Sequence, residues 1–258
     1  AEPLEQRCFL DASGSLLNQR IDALADVSGN GASEVVVAQF DPVDGQNVLS
    51  VFDTSSRQLI SRSTLPGSFH SVDLESFVDN GVPQVAWFLV SQEGGTAIVK
   101  IFDPIDAALR SELTAFPTGF EPVDLEVFVD PNGRLQVAAL ATNRASGASR
   151  LRVFDLQSGQ QRADFFVGTV WKPRALEILW HGQNPAFAIL ESRVEEDTLF
   201  SRLQLRDFAG RLVATRALGL EAMSVLDGVP ENRLVSDGNA LFVLLNRFDG
   251  KYEVQSFD

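Results

Sequence analysis

A repeat of about 51 residues runs through the chain, and it constrains the fold more than any other feature of the sequence. Each copy ends in a short string that closes on aspartate, namely VFD, IFD, VFD, LRD and SFD, with the aspartates at 53, 103, 155, 207 and 258. The spacings between successive aspartates are 50, 52, 52 and 51 residues. Self-similarity with such a period is typical of proteins in which one supersecondary unit is repeated side by side. The chain is therefore predicted to be an array of five similar units.

Each unit contains the same four segments, all of which have the character of β-strands. The second unit shows the order: VDLESFV (72–78), a turn, the apolar run VAWFLV (85–90), and then the strand that ends in aspartate. More polar fourth segments follow, such as LISRSTL (59–65) and LVATRAL (212–218). Nearly continuous apolar runs are expected of strands buried on both faces, and they recur at 35–40, 85–90, 137–142, 187–192 and 241–246. Four strands in about 50 residues are typical of a propeller blade, so we expect an all-β, five-bladed β-propeller of four-stranded blades.

The two ends of the chain are predicted to close this propeller into a ring. The last unit stops at Asp258 after its third strand, and residues 4–14 align with the fourth strand of the first unit. We therefore expect residues 4–14 to pair with the strand at 251–258. The prediction is one domain over 1–258, with blades at 21–70, 71–121, 122–172 and 173–222, and a last blade made of 223–258 plus 4–14. The alternative is a fragment of a longer array, in which RCFLD (7–11) is a third strand.

The turn between the first and second strands of the first unit carries a motif of its own. Residues 26–34 read DVSGNGASE. This resembles the loop of FG-GAP or VCBS propeller repeats, which binds calcium through oxygens at its first, third, fifth and ninth positions. The resemblance implies Asp26, Ser28, Asn30 and Glu34 as calcium ligands, with Gly31 at the sharp turn. Several converging oxygens suit Ca²⁺.

Calcium is the only cofactor that the sequence suggests, and the motif for it is weak. Only Asp26 and Glu34 of the four ligands are anionic, so we expect low affinity, and the corresponding turns of the other units lack the spacing. The alternative is a hairpin turn in which the aspartate accepts backbone hydrogen bonds.

Acidic residues recur at equivalent places in the predicted first strands. Asp22, Asp73 and Asp124 are each 51 residues apart, as are Glu75, Glu126 and Glu177. First strands line the central channel of a propeller, so these six acids are predicted to form a ring of channel carboxylates. Pairs of carboxylates also perform glycoside hydrolysis, but that requires two groups in different surroundings. Acids at equivalent repeat positions are expected to have similar surroundings, so we predict solvated charges and no catalytic residues.

The composition excludes several classes of partner. The chain has 35 acidic and 21 basic residues and a formal charge of −14, which disfavours nucleic acid and anionic membrane surfaces. It has no apolar run of the roughly 18 residues needed to insert into a membrane. Cys8 is the single cysteine and there are two histidines, so neither an intrachain disulfide nor a thiolate metal cluster is expected.

These observations together predict a binding protein. The chain opens with Ala-Glu-Pro, as a processed mature protein does, so we expect an extracellular, cell-surface or periplasmic location. The favoured function is a non-catalytic β-propeller module that binds a protein or a glycan, and the chain is predicted not to be an enzyme. One alternative is a carbohydrate-active propeller, either a lectin or a glycosidase that uses the channel carboxylates. Another is a structural subunit of a larger extracellular assembly.

Overall fold

The computed structural model describes residues 20–92, 95–181, 184–195, 198–221, 234–236, 240–246 and 252–257, and within them the regular structure consists of β-strands. Over these residues no helix is long and apolar enough to cross a membrane.

Nineteen described strands form five antiparallel sheets, each built from consecutive strands. The first sheet contains β1 (Arg20–Leu24), β2 (Glu34–Asp41), β3 (Gln46–Asp53) and β4 (Leu59–Pro66). The second contains β5 (Phe69–Asp79), β6 (Val82–Ser91), β7 (Ala97–Phe102) and β8 (Leu109–Phe116). The third contains β9 (Phe120–Val129), β10 (Leu135–Asn143), β11 (Ser149–Asp155) and β12 (Gln161–Gly168). The fourth contains β13 (Lys172–His181), β14 (Asn184–Glu195), β15 (Thr198–Asp207) and β16 (Leu212–Glu221), and the fifth contains β17 (Leu234–Ser236), β18 (Leu241–Asn246) and β19 (Tyr252–Phe257).

The repeated four-stranded sheet predicted from the sequence is confirmed. In each of the first four sheets the strand order follows the chain, so every neighbour pair is a hairpin. The apolar runs form the second strands, and their side chains are buried: Val85, Ala86, Trp87, Phe88 and Leu89 are all 0% exposed. The fifth sheet has three described strands, with β19 at one edge. The strand predicted at 4–14 lies outside the described residues, so ring closure and the count of five complete blades stay predictions.

The chain divides into two compact units, Ala1–Thr118 and Gly119–Asp258. In the first unit, side chains from the first two sheets form one core, which includes Val36 and Leu49 from one sheet and Trp87 from the other. The second unit has two cores. One joins the third and fourth sheets and the other joins the fourth and fifth. Each described sheet thus buries an apolar face against the next sheet of its own unit, as stacked repeat units must.

The recurrent aspartates have the structural role that their position predicts. Asp53, Asp103, Asp155 and Asp207 stand at the turns between third and fourth strands, and their Oδ1 atoms accept backbone N–H groups from Ser55 (2.7 Å), Ile105 (2.8 Å), Ser158 (2.9 Å) and Ala209 (3.0 Å). Arginines add ion pairs in three of the sheets, Arg110–Asp103 at 2.5 Å, Arg162–Asp155 at 2.7 Å and Arg211–Asp207 at 2.6 Å. These contacts fix the turn in each sheet.

Contacts of this kind lower the pKa of these aspartates. The hydrogen bond from the Ser55 side chain holds the pKa of Asp53 below its usual value. Those from Arg162 and Arg211 lower the pKa of Asp155 and Asp207. Each carboxylate is therefore ionised throughout the neutral range, where it holds its turn.

Candidate functional site

The six predicted first-strand acids all lie on first strands, as expected. Asp22 is on β1, Asp73 and Glu75 are on β5, Asp124 and Glu126 are on β9, and Glu177 is on β13. Each of these side chains is partly buried. β1 contacts β5 in the first unit and β9 contacts β13 in the second, so acids of neighbouring sheets lie on adjacent strands. A single ring of all six stays a prediction.

Two aspartates of this set, Asp22 and Asp124, connect neighbouring sheets. The Oδ2 atom of Asp22 accepts the backbone N–H of Ser76 on β5 at 2.6 Å. Oδ2 of Asp124 accepts the N–H of Leu176 on β13 at the same distance, 2.6 Å. β5 and β13 are edge strands of their sheets, so an outward N–H there has no partner in its own ladder. The aspartate of the preceding sheet supplies that partner, and these carboxylates are structural.

Two glutamates of the set, Glu126 and Glu177, lie close to the bond between Asp124 and Leu176. Glu126 lies two residues beyond Asp124 on β9, and Glu177 lies next to Leu176 on β13. Since Asp124 bonds to Leu176, these two glutamates are on adjacent strands of neighbouring sheets. Both keep part of their surface in solvent. General acid–base chemistry on a glycosidic bond uses two carboxyl groups that solvent and substrate can reach, and these two glutamates are of that kind.

The loop at 26–34, which we call the Asp26 loop, is held by its own backbone. Asp26 accepts N–H groups on both carboxylate oxygens: Oδ1 from Gly29 at 2.7 Å and Asn30 at 3.1 Å, and Oδ2 from Gly31 at 2.7 Å. Gly31 has a φ of 84°, which a residue without Cβ adopts at no steric cost. This is the hairpin-turn arrangement that the sequence left open as the alternative to a calcium site.

The other proposed calcium ligands also use their oxygens within the protein. Glu34 is fully buried and accepts the N–H groups of Val27 at 2.7 Å and Ser28 at 3.2 Å. Asn30 donates from Nδ2 to Asp53 at 2.5 Å and accepts the N–H of Ala32 at 2.8 Å. These oxygens therefore accept N–H groups of the loop. Within the described ranges no group of three or more His, Cys, Asp or Glu side chains is arranged to hold a metal ion. Calcium binding by Asp26, Ser28, Asn30 and Glu34 stays a prediction.

A second polar site lies in the fourth sheet, and sequence reasoning missed it. Glu191 on β14 has a fully buried side chain, and its Oε2 accepts the Nε–H of Arg202 on β15 at 2.7 Å. The guanidinium groups of Arg202 and Arg193 stand over the ring of Trp171, at 4.3 and 4.6 Å from its centroid. Burial raises the pKa of Glu191, and the hydrogen bond from Arg202 opposes that effect. The sequence signal that could have revealed this site is the acid Glu191 within the apolar run FAILES (187–192).

The three tryptophans of the chain differ in their exposure. Trp87 is fully buried, and its Nε1 donates to the hydroxyl of Ser71 at 2.8 Å, so it is a packing residue. Trp180 is 38% exposed. Trp171 is partly exposed and belongs to the polar site of the fourth sheet.

Comparisons with known proteins show which kind of fold the chain has. No family model and no curated protein matches the sequence. Among solved structures, the Dos1 propeller matches with a TM-score of 0.53, at 14% identity, over 95% of this chain and 59% of that chain. The endo-arabinase of Bacteroides thetaiotaomicron matches with a TM-score of 0.55, at 9% identity, over 95% of each chain. An exo-β-1,3-galactanase of Phanerochaete chrysosporium, solved with β-1,3-galactotriose, matches with a TM-score of 0.54, at 11% identity, over 97% of this chain and 63% of that chain.

These likenesses show a propeller-type fold, and they correct one functional expectation. This chain spans less than two thirds of the Dos1 and galactanase chains, but it spans nearly the whole endo-arabinase. Of these three structures, two are glycan-cleaving enzymes by name, so the prediction that the chain is not an enzyme is contradicted. That prediction rested on the premise that equivalent acids have equivalent surroundings. The equivalent residues Asp22 and Asp124 do make the same bond to the next sheet, so the correction comes from the likeness to these enzymes.

Proposed function

We propose that this protein is a carbohydrate-active β-propeller that hydrolyses glycosidic bonds. The observation that carries the proposal is the placement of Glu126 and Glu177 on adjacent first strands of the third and fourth sheets, both partly exposed. The endo-arabinase and the exo-β-1,3-galactanase, which share the fold over nearly all of this chain, support carbohydrate as the substrate class.

The two glutamates have unequal neighbours, which this chemistry requires. Asp124 lies two residues before Glu126 on β9, and Ala175 lies two residues before Glu177 on β13. In this proposal one of the two carboxyl groups donates a proton to the leaving oxygen, and the other acts as nucleophile or as base toward water.

The test is a turnover assay on purified protein. Arabinan and β-1,3-galactan are the first substrates, with reducing ends measured over time. Glu126→Gln and Glu177→Gln each remove an ionisable carboxyl and keep the shape, so each is expected to slow turnover by about 10²–10⁴-fold. Glu121→Gln on the same strand β9 is the matched control, because Glu121 is exposed, and it should retain full activity. Turnover that survives in both Gln variants, or no turnover on either polysaccharide, would remove the assignment.

We further propose that the fold is a five-bladed ring, closed by residues 4–14 against β19. The repeat count supports the ring, and the edge position of β19 supports the closure. Deleting residues 1–14 is expected to expose that edge and to cause aggregation or less cooperative unfolding. A truncated protein that stays monomeric and melts at the wild-type temperature would contradict the closure.

A further inference from the structure

The polar site of the fourth sheet pairs an acid with an arginine at a cross-strand position where the first three sheets have no acid. We call it the Glu191 cluster, and it consists of Trp171, Glu191, Arg193 and Arg202. Glu191 and Arg202 are directly opposite each other on β14 and β15. Counted from the aspartate that ends each third strand, the same cross-strand position holds Leu89 and Ile98 in the second sheet, Ala141 and Arg150 in the third, and Gln39 and Val48 in the first. Duplication of the repeat alone does not account for an acid at this position.

Burial of the Glu191 carboxylate is costly. Its side chain is fully buried, whereas Arg202 keeps 23% of its side chain exposed. Removing a charge from water costs several kcal/mol, and apolar residues of similar size at such a place are often equally stable or more stable. The face that carries Glu191 also carries Ile189, which packs into the core shared with the third sheet. The carboxylate thus stands at the edge of a core, where the second sheet has the apolar pair Leu89 and Ile98. Local departures of this kind concentrate at functional sites.

Two atoms of the cluster lack hydrogen-bond partners although they are buried. Oε1 of Glu191 and Nε of Arg193 have none among the described residues. Gln204 lies near the carboxylate and lowers its pKa, but it is not in hydrogen-bonding geometry with Oε1. Buried polar atoms in folded proteins are nearly always paired. Glu191 and Arg193 are two residues apart on β14, so their side chains lie on the same face of the strand.

Oε1 of Glu191 and Nε of Arg193 together define the chemistry of a ligand that would bind at the cluster. The carboxylate oxygen needs a donor, and the guanidinium N–H needs an acceptor. A carboxylate or phosphate ligand supplies acceptors only, whereas a hydroxyl group supplies both. Trp171 adds a partly exposed aromatic ring beside the two atoms. From this geometry we propose that the Glu191 cluster is a binding subsite for a hydroxyl-rich ligand, a sugar residue, separate from the Glu126 and Glu177 pair.

Access to the subsite is through the outer side chains. Arg193 is 33% exposed and Arg202 is 23% exposed, whereas Glu191 is fully buried beneath them. A ligand hydroxyl beside the Trp171 ring would donate to Oε1 of Glu191 and accept the Nε–H of Arg193. Hydrogen bonds to charged groups contribute enough that loss of the site weakens the affinity by about tenfold to a hundredfold. Trp171 lies at the site, so its fluorescence reports the event.

The test is a titration of the full chain with arabinotriose and with β-1,3-galactotriose, followed by tryptophan fluorescence. The main variant is the double substitution Glu191→Leu with Arg202→Ile, which restores the apolar pair of the second sheet and is expected to fold. Trp171→Phe identifies the source of the signal. The inference depends on the proposed function for the choice of sugars, and Glu126→Gln separates the two proposals because it should lose turnover and keep this binding.

A saturable signal in wild type that weakens at least tenfold in the double variant supports the subsite. If the double variant fails to fold, Glu191→Gln takes its place, since it turns an acceptor into a donor without changing shape. Three results would overturn the inference. If neither sugar gives a saturable change in fluorescence, the two buried atoms bind only an ordered water. Equal sugar affinity in the wild type and the double variant, or saturation by citrate but not by the sugars, which indicates an anion site, would also overturn it.

Discussion

Replacement of Asp124 by alanine tests the bond between the third and fourth sheets. Its Oδ2 accepts the N–H of Leu176 at 2.6 Å, and its Oδ1 accepts the N–H of Leu125 at 3.0 Å. Leu176 is only 1% exposed, so water does not replace the lost partner. A buried N–H left without an acceptor costs about 1–3 kcal/mol. We expect Asp124→Ala to lower the free energy of unfolding by about 2 kcal/mol, and to lower Tm by about 4–8 °C for a chain of this length.

The measurement is equilibrium unfolding in urea, followed by tryptophan fluorescence and by circular dichroism. Asp124→Asn keeps one acceptor oxygen but loses the charge, so its midpoint is expected between those of wild type and Asp124→Ala. Glu121→Ala, an exposed change on the same strand, is the control and should stay within about 0.5 kcal/mol of wild type. A urea midpoint for Asp124→Ala equal to that of wild type would refute the reasoning, because the N–H of Leu176 would then need no carboxylate.

Three further predictions concern stability. The folded-state pKa of Asp155 lies below its unfolded value, so the unfolded chain binds protons first and stability falls as the pH drops below about 5; Asp155→Asn should flatten this decline in acid melts, and an unchanged slope would contradict it. Asp26→Ala should lower Tm in the presence of a calcium chelator, with a loss of about 1 kcal/mol in the free energy of unfolding, because the Asp26 carboxylate accepts backbone N–H groups without metal. Equal melting temperatures of variant and wild type in chelator would disprove this. Leu140→Ala removes a fully buried core side chain and should cost about 3 kcal/mol in urea unfolding, against little change for Val170→Ala, whose side chain is 66% exposed.

The regular elements could be predicted because their signals are local and repeated. Apolar runs such as VAWFLV report burial on both faces of a strand, and the aspartate at 155 and its equivalents cap a turn with atoms only two or three residues away. Five weak signals in register reinforce one another, so the four-stranded sheet and its strand order could be derived without any long-range information.

Only the tertiary structure decided what the acidic side chains do, because that depends on groups that the repeat pattern does not place. Asp124 is one of a column of repeated acids in the sequence, and its role is set by the edge strand of the next sheet, which presents an N–H to it. Glu191 lies at the polar end of an apolar strand in the sequence, and in the structure it is buried with Arg202 bound to it and Trp171 beside that arginine. The bond from the first-strand aspartate to the next sheet recurs at Asp22 and Asp124 because both copies have the same neighbouring strand. Glu191 has no acidic counterpart in the first three sheets, so no repeated signal marks its surroundings.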